Sequence, residues 1–290
     1  MDWLSLALLS ALSLAFADAL TKKLLSGYRA VELVVVRFGV TAALLLPLLI
    51  LNPPPSVPAA FWGWVGLALP LEVLAMLLYV IAIRDSPLAL TLPYLAFTPV
   101  FTVLTGLVVL GERVSSQGLA GILLVVMGAY ALNLQHVRLA TPRSWLAPLL
   151  AIGRERGSRL MLMVAVLYSV TSVLGKGALQ YMPAASFGPL YFVLLGLFTV
   201  LLFGLREPRA VAVLWRLSWR HGVIAALMAV MVVTHFLALE LVQVAYMIAV
   251  KRTSILFAIL LGALLFAETR LVQHLLAAAM MIAGVGLIAL

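Results

Sequence analysis

The chain has 290 residues, of which 65% are apolar and 10% are charged, and its mean hydropathy is +1.20. A soluble protein of this size cannot bury so much apolar surface, and the composition also excludes a disordered chain. The sequence holds no cysteine, which excludes a disulfide-stapled secreted domain. The net charge of +9 does not indicate a nucleic-acid partner, because basic residues of membrane proteins collect in cytoplasmic loops. The composition therefore predicts an all-α polytopic membrane protein.

Ten apolar segments are long enough to cross a bilayer as helices, which takes about 20 residues each. In chain order they are Trp3–Leu25, Ala30–Leu51, Phe61–Ile83, Pro87–Leu110, Gln117–Leu134, Leu160–Tyr181, Pro183–Leu205, Gly222–Leu241, Val244–Phe266 and Leu271–Leu290. A long basic connection, residues 136–159, separates five spans in residues 1–135 from five in residues 160–290. We therefore expect two five-helix units joined by a basic linker.

The two halves of the chain repeat each other. Glu112 and Glu268 stand 156 residues apart, and Lys22 and Lys176 stand 154 apart. Because each unit holds an odd number of spans, the second must enter the membrane inverted relative to the first. Ten transmembrane helices arranged as two inverted five-helix repeats are typical of alternating-access carriers, whose site lies near the membrane midplane.

These residues carry a family resemblance over the whole chain. Gly111-Glu112 closes the fourth span, Glu268 closes the ninth, and Lys22 and Lys176 lie in the first and sixth. The pattern resembles the drug/metabolite transporter superfamily, EamA type, and this resemblance implies a carrier fold with an EamA-like unit in each half.

A second, partial resemblance lies in the ninth span. The stretch 249–252, Ala-Val-Lys-Arg, resembles the Lys-Arg pair of sugar-phosphate and nucleotide-sugar translocators, where the pair binds the substrate phosphate. Those translocators also have a lysine in the fourth span, where this chain has Leu95 and Ala96. The resemblance implies an anion-binding role for Lys251 and Arg252.

The same two residues stand out on physical grounds, because a charge inside a bilayer costs about 2.5 to 3.5 kcal/mol on insertion scales. Lys251 lies seven residues into its predicted span, at a depth of about 10 Å. A lysine that reaches back to the headgroups is the structural alternative, but Arg252 points about 100° away round the helix and cannot share that path. Ser254, Ala258 and Gly262 continue the face of Lys251 with small side chains, which is expected of a helix that lines a cavity.

Five further deep side chains are candidate substrate-binding residues. Lys176 and Arg37 would add positive charge, and Tyr79, His235 and Tyr246 would add polar or aromatic contacts. Each has a structural alternative: an interfacial position for Lys176, bonding to helix-end carbonyls for Arg37, and an ordinary buried polar contact for His235.

Three residues are candidates for coupling or for counter-charge. Glu72, near the centre of the third span, would carry a proton, neutralise an empty basic site, or form a structural hydrogen bond in its protonated form. Asp18 and Lys22 are four residues apart and can pair along one helix. Counting Glu240 as well, five deep cations face three deep carboxylates, a bias of about two positive charges.

This bias favours a secondary transporter that moves a small organic anion or zwitterion, phosphorylated metabolites included, by alternating access. Two alternatives remain: a flippase for a lipid-linked phosphate, and a proton-coupled exporter of amino acids or amines. The chain lacks the nucleophile and metal motifs of enzymes, so we expect no enzyme, no cofactor and no metal. The expected partners are a small-molecule substrate and the lipid bilayer, with the chain a monomer or a homodimer.

The charge of the loops predicts orientation in a plasma (inner) membrane. With both termini outside, thirteen basic loop residues lie inside and only Arg113 lies outside, which satisfies the positive-inside rule. This orientation differs from the cytoplasmic termini that the family resemblance implies.

Overall fold

The computed structural model describes residues 1–85, 94–131, 155–258, 261 and 271–290, with side chains of the last stretch from residue 276 onward. These residues form helices and contain no strand, which confirms the all-α prediction. We number the principal helices in chain order: α1 (Trp3–Leu24), α2 (Ala30–Leu51), α3 (Ala59–Asp85), α4 (Thr98–Leu110), α5 (Ser116–Ala131), α6 (Arg156–Leu179), α7 (Ala184–Arg206), α8 (Trp219–Leu241), α9 (Val244–Lys251) and α10 (Leu271–Ala289). Two short turns, Pro208–Val211 and Ala212–Arg216, connect α7 to α8.

Six of these helices are long and apolar enough to cross a bilayer: α1, α2, α3, α6, α7 and α8. Within the described chain, α4, α5 and the Leu276–Ala289 part of α10 are apolar but shorter. Large apolar side chains such as Val108 and Leu201 are exposed on the outer faces, as expected of surfaces that contact lipid. The ten-span arrangement goes beyond these six helices and stays a prediction.

Helices from the two halves of the chain pack against each other in pairs: α1 with α8, α3 with α6, α2 with α7, and α5 with α10. Small residues allow this close approach. A Cβ on Gly121 of α5 would lie 2.7 Å from the carbonyl oxygen of Gly284 on α10, and a Cβ on Gly196 of α7 would lie 2.9 Å from that of Phe38 on α2. The two halves therefore form one interlocked bundle rather than two separate units.

The ninth predicted span is not one continuous helix, which corrects the prediction of Val244–Phe266. Helix α9 ends at Lys251, residues 252–253 form a turn, and a helix resumes over 254–258. The hydroxyl of Thr253 donates to the carbonyl of Val250 at 2.8 Å, which satisfies an acceptor that a continuous helix would have bonded. Periodicity of apolar residues does not report such a turn, because both sides of it are equally apolar.

A matching turn precedes α4, at residues 96–97. Pro99 has no N–H to donate to the carbonyl of Leu95, and the Thr98 hydroxyl donates to that carbonyl instead, at 2.6 Å. Residues 86–93, the first part of the predicted fourth span, lie outside the described residues. The basic linker is described only from residue 155, and α6 begins at Arg156, four residues before the predicted sixth span.

Helix α2 contains a π-helical turn at Val36–Val40. Such turns insert one extra residue into the helical register and occur frequently at functional sites. Here the turn carries Arg37 and Phe38, both buried, on the side of α2 that faces the other helices.

Candidate functional site

A cavity of about 100 Å³ lies inside the bundle, between the described helices. It brings together six of the predicted site residues from four different helices and the turn after α9: Arg37, Glu72, Tyr79, His235, Lys251 and Arg252. The rest of the wall is largely aromatic and sulfur-containing, with Phe38, Tyr168, Tyr191, Phe192, Phe236, Met76, Met228 and Met231. The cavity therefore combines a few charged groups with an adaptable apolar surface, which is typical of small-molecule sites.

The end of α9 positions the first two cations. Lys251 is the last residue of the helix, and its ammonium donates to His235 Nδ1 at 3.0 Å and contacts Met231 Sδ at 3.3 Å. Because the ammonium has only hydrogens to give, Nδ1 of His235 is the acceptor and the imidazole is neutral. Lys251 thus has neutral partners, and none of the ion pairs among the described residues includes it.

Arg252 is placed by the turn that follows. Its side chain is only 4% exposed, yet its Nε has no hydrogen-bond partner. No ion pair among the described residues includes this guanidinium either. Buried polar nitrogens of native proteins are almost always bonded, so an unpartnered guanidinium nitrogen at a cavity wall points to an acceptor that the described part of the chain does not supply.

Arg37, on the π-helical turn of α2, has the opposite surroundings. Its Nη1 donates to Asp18 Oδ1 of α1 at 2.7 Å, and its Nη2 contacts Met228 Sδ at 3.2 Å. The second carboxylate oxygen of Asp18 accepts from the Tyr79 hydroxyl at 2.7 Å, and the guanidinium lies 5.9 Å from the Tyr79 ring centre. Asp18 therefore supplies the counter-charge of Arg37 from another helix, although Arg37 Nε also lacks a partner.

Glu72 lies on the cavity wall at the middle of α3. Its carboxyl faces the Thr171 hydroxyl of α6 and is within electrostatic range of Lys251. The ion pairs of the described chain do not include it. Glu72 thus lines the same cavity as Lys251 and Arg252 but forms an ion pair with neither of them.

The structure does not bring the remaining candidates into the cavity. Lys176 instead donates to carbonyls at the end of α8, those of Leu239, Glu240 and Val242, the last at 3.1 Å. The hydroxyl of Tyr246 accepts from the backbone N–H of Ser115 at 2.9 Å. Lys22 is exposed near the end of α1. A cation at a helix C-terminus is favourable, so the position of Lys176 has a structural explanation.

Two carboxylates bond to the first N–H groups of neighbouring helices. Glu240 accepts from the N–H of Ala184, at the start of α7, at 3.1 Å, and Glu112 accepts from that of Val244, at the start of α9, at 2.9 Å. Both are favourable contacts at the positive ends of helix dipoles. Glu240 therefore does not count toward the charge of the cavity, and the repeat counterpart of Glu112, Glu268, lies outside the described residues.

The predicted small face beyond Lys251 does not extend the cavity. Ser254 and Ala258 are absent from the wall described above, and Gly262 lies outside the described residues. Conversely, sequence reasoning missed Tyr168 and Thr171 of α6. The spacing of 154 residues relates Tyr168 to Leu14, which also lines the cavity, but Leu14 is apolar and gave no signal in the sequence.

With this geometry in place, comparison with known proteins identifies the type of protein. Residues 1–134 match the model of the EamA-like transporter family. These residues, slightly less than half of the chain, therefore resemble EamA-like transporters. The match indicates a membrane transporter of the drug/metabolite type, and proteins of that family are transporters rather than enzymes.

A solved structure titled "Crystal structure of protein" resembles this chain with a TM-score of 0.69 and 16% identity, covering 98% of this chain and 94% of the other. At this identity the likeness concerns the fold alone. No curated protein matches the sequence.

Proposed function

We propose that the chain is a secondary transporter that moves a small organic anion or zwitterion by alternating access, with its substrate held in the cavity by Lys251 and Arg252. The observation that carries this proposal is the Arg252 guanidinium, which is 4% exposed, has an unpartnered Nε and, unlike Arg37, belongs to none of the ion pairs among the described residues. A buried cation without a carboxylate partner is unfavourable by several kcal/mol, although the carbonyl dipole at the end of α9 offsets part of that cost. An anionic substrate group would supply the missing partner.

The chemistry of the pair suits a carboxylate or a phosphate. A guanidinium binds the two oxygens of such a group with parallel hydrogen bonds, and an adjacent ammonium adds a point charge. Arg37 lies on another wall of the cavity, but because Asp18 neutralises its charge, it adds no net positive charge to the site. The apolar and aromatic remainder of the wall would hold the body of the substrate.

We further infer the ten-span, two-repeat arrangement predicted above. The repeat would relate α1 to α6 and α3 to α8. Applied to the packed pair α1–α8, it gives the pair α6–α3, and these two helices also pack together. The cavity wall follows the same spacing: Arg37 and Tyr191 are 154 residues apart, Tyr79 and His235 are 156 apart, and Leu95 and Lys251 are 156 apart. A site on the axis between two inverted repeats would have this pattern.

Alternating access requires this cavity to widen. Ligand pockets measure about 300 to 1,000 Å³, whereas this cavity measures about 100 Å³, so the structure represents a compact state. The turns at 96–97 and 252–253, which are also 156 residues apart, interrupt helices beside the cavity. Interrupted helices at the substrate site are typical of carriers that rock between two open states, and these two turns are where we expect α4 and α9 to bend.

A flippase for a lipid-linked phosphate is the second candidate, because an apolar groove lies on the other side of two cavity helices. It is formed by α2 and α8 and lined by Leu44, Leu45, Leu48, Ala229, Val230, Val233 and Thr234. A lipid tail in this groove would lie next to a headgroup in the cavity.

Transport into proteoliposomes tests the proposal. The purified chain is reconstituted and offered carboxylates, phosphate esters, amino acids, quaternary amines and a short-chain polyprenyl phosphate. We expect uptake of a water-soluble anion or zwitterion, and its loss in the K251A/R252A double variant. The matched control is R206A/R209A, which removes two exposed arginines at the end of α7 and beyond it.

Three outcomes contradict the proposal. Uptake of an amine that persists or rises in K251A/R252A would support the amine exporter instead, since the variant removes a repulsion. Movement of the polyprenyl phosphate alone would support the flippase. Anion uptake that survives in the double variant would show that the pair does not bind substrate.

A further inference from the structure

Among the described residues, the wall of the cavity includes a carboxylate, that of Glu72, which forms no ion pair with any described cation. Glu72 lies in the middle of α3, facing the Thr171 hydroxyl, and it lines the same cavity as Lys251 without forming an ion pair with it. A carboxylate beside a positively charged site repels an anionic substrate and weakens its binding. The position of Glu72 therefore calls for a functional reason. The space between Glu72 and the two cations is the space in which a substrate would lie.

The charges of the described cavity can be counted group by group. Asp18 and Arg37 neutralise each other at 2.7 Å, and His235 accepts a hydrogen bond from Lys251 and is neutral. Counted in their ionised forms, Lys251 and Arg252 face Glu72, which gives a formal net charge of one positive unit. In a medium of low dielectric constant, an excess charge of either sign strongly disfavours binding.

We propose that Glu72 sets the charge of the transported substrate at one net negative unit. This inference rests on the proposed function and deepens it: the substrate class is that of monoanions, such as monocarboxylates and phosphodiesters, and the dianionic phosphomonoesters are excluded by charge rather than by size. A monoanion neutralises the site, whereas a dianion leaves one negative charge in excess beside Glu72.

The experiment compares two probes that differ mainly in charge. Phenyl phosphate is close to doubly charged at about pH 7.5, because the second pKa of a phosphate monoester is about 6, and methyl phenyl phosphate is singly charged. Binding of both is measured by calorimetry on the purified full chain. We expect the wild type to prefer the monoanion by at least about tenfold, and E72Q to prefer the dianion by a similar factor.

A charge-restoring variant keeps the test independent of any packing defect at residue 72. The double variant E72Q/K251Q again has a net charge of one positive unit and is expected to recover the preference for the monoanion, although both affinities will be lower. The matched control is E207Q, which removes a carboxylate that pairs with Arg29 at the surface and should leave the ratio unchanged. Dianion binding by E72Q is itself the proof that this variant is folded.

The two proposals fail in different ways. If the wild type binds neither probe nor any other anion, the proposed function is wrong. If the wild type binds anions but E72Q leaves the ratio of the two affinities unchanged, only the role of Glu72 is wrong. Tighter binding of a zwitterion than of either probe, lost in E72Q, would also overturn the inference, because Glu72 would then be the partner of a substrate ammonium.

Discussion

Arg37 and Arg252 are two buried arginines on the wall of one cavity, 1% and 4% exposed, and the protein surrounds them differently. Arg37 has a carboxylate of another helix at 2.7 Å, and that carboxylate is held in turn by Tyr79. Arg252 has no such partner among the residues that the structure describes, and its nearest charged neighbour in sequence is another cation, Lys251.

The difference separates two uses of a charge inside a membrane. An arginine whose counter-charge comes from the protein joins helices, so its removal should change stability. An arginine whose counter-charge is missing is available to a substrate, so its removal should change binding. The comparison would be wrong if a variant of Arg252 lowered stability instead of binding, or if a variant of the Asp18–Arg37 pair weakened binding instead of stability.

The largest effect is expected for Asp18→Asn, which leaves Arg37 buried without a counter-charge. Breaking a buried ion pair by removing one partner costs about 3 to 5 kcal/mol. The expected result is a large loss of stability toward heat or denaturant in detergent. The control is Asp85→Asn, which removes the carboxylate of an exposed pair with Arg84, where such pairs contribute about 0 to 1 kcal/mol. Equal stability of the two variants would show that the Arg37 pair does not hold the helices together.

The second prediction concerns the unpaired arginine. Arg252→Gln should weaken binding of the transported anion by about 2 to 5 kcal/mol, as expected when one member of a desolvated charge pair is removed. Its unfolding temperature should not fall, because the variant separates no ion pair and relieves repulsion from Lys251. Arg220→Gln, at an exposed position near the start of α8, is the control for loss of a positive charge. A fall in stability as large as that of Asp18→Asn would remove the distinction between the two arginines.

Much of this site could be predicted from the sequence, because a charge inside an apolar segment is conspicuous wherever the chain folds. Glu72, Lys251 and Arg252 were expected to act together on that basis, and the structure places them on one cavity wall. The resemblance of the first half to the EamA type, predicted from Glu112 and the lysines, is likewise confirmed by the family match.

The partner of each charge could not be predicted, because partners come from other helices. Asp18 is four residues from Lys22 but bonds Arg37, 19 residues away. Lys176 contributes to capping α8 rather than to the cavity. Such choices depend on how helices pack, and the spacing of residues along a single helix carries no information on them. The turn at 252–253 was not predicted for a related reason, since the backbone N–H and the hydroxyl of Thr253 both bond locally to the Val250 carbonyl.

A third prediction tests the support of the paired arginine. Tyr79→Phe removes the hydroxyl that donates to Asp18 at 2.7 Å, and a hydrogen bond to a charged group contributes about 1.5 to 3 kcal/mol. Stability should therefore fall by less than in Asp18→Asn but measurably. Tyr191→Phe is the control, because it removes a hydroxyl from the same cavity wall but from no hydrogen bond within the described residues. If Tyr79→Phe is as stable as this control, the Tyr79 hydroxyl does not fix the Asp18 carboxylate.

The smallest effect is expected at His235, which stands 156 residues after Tyr79 and supports the unpaired side of the cavity. Its Nδ1 accepts from the Lys251 ammonium at 3.0 Å, so it orients a cation instead of stabilising a carboxylate. His235→Phe should weaken anion binding by about 1 kcal/mol, or roughly fivefold, which is typical of one lost hydrogen bond. His235→Asn should restore part of the affinity, because its side-chain carbonyl can accept the same bond. Tyr79 and His235, which stand 156 residues apart, would then have different roles. Loss of the Tyr79 hydroxyl would lower the stability of the protein, whereas loss of the His235 imidazole would weaken substrate binding. A His235→Phe variant that unfolds more easily but binds the anion as the wild type does would show instead that His235, like Tyr79, serves the fold.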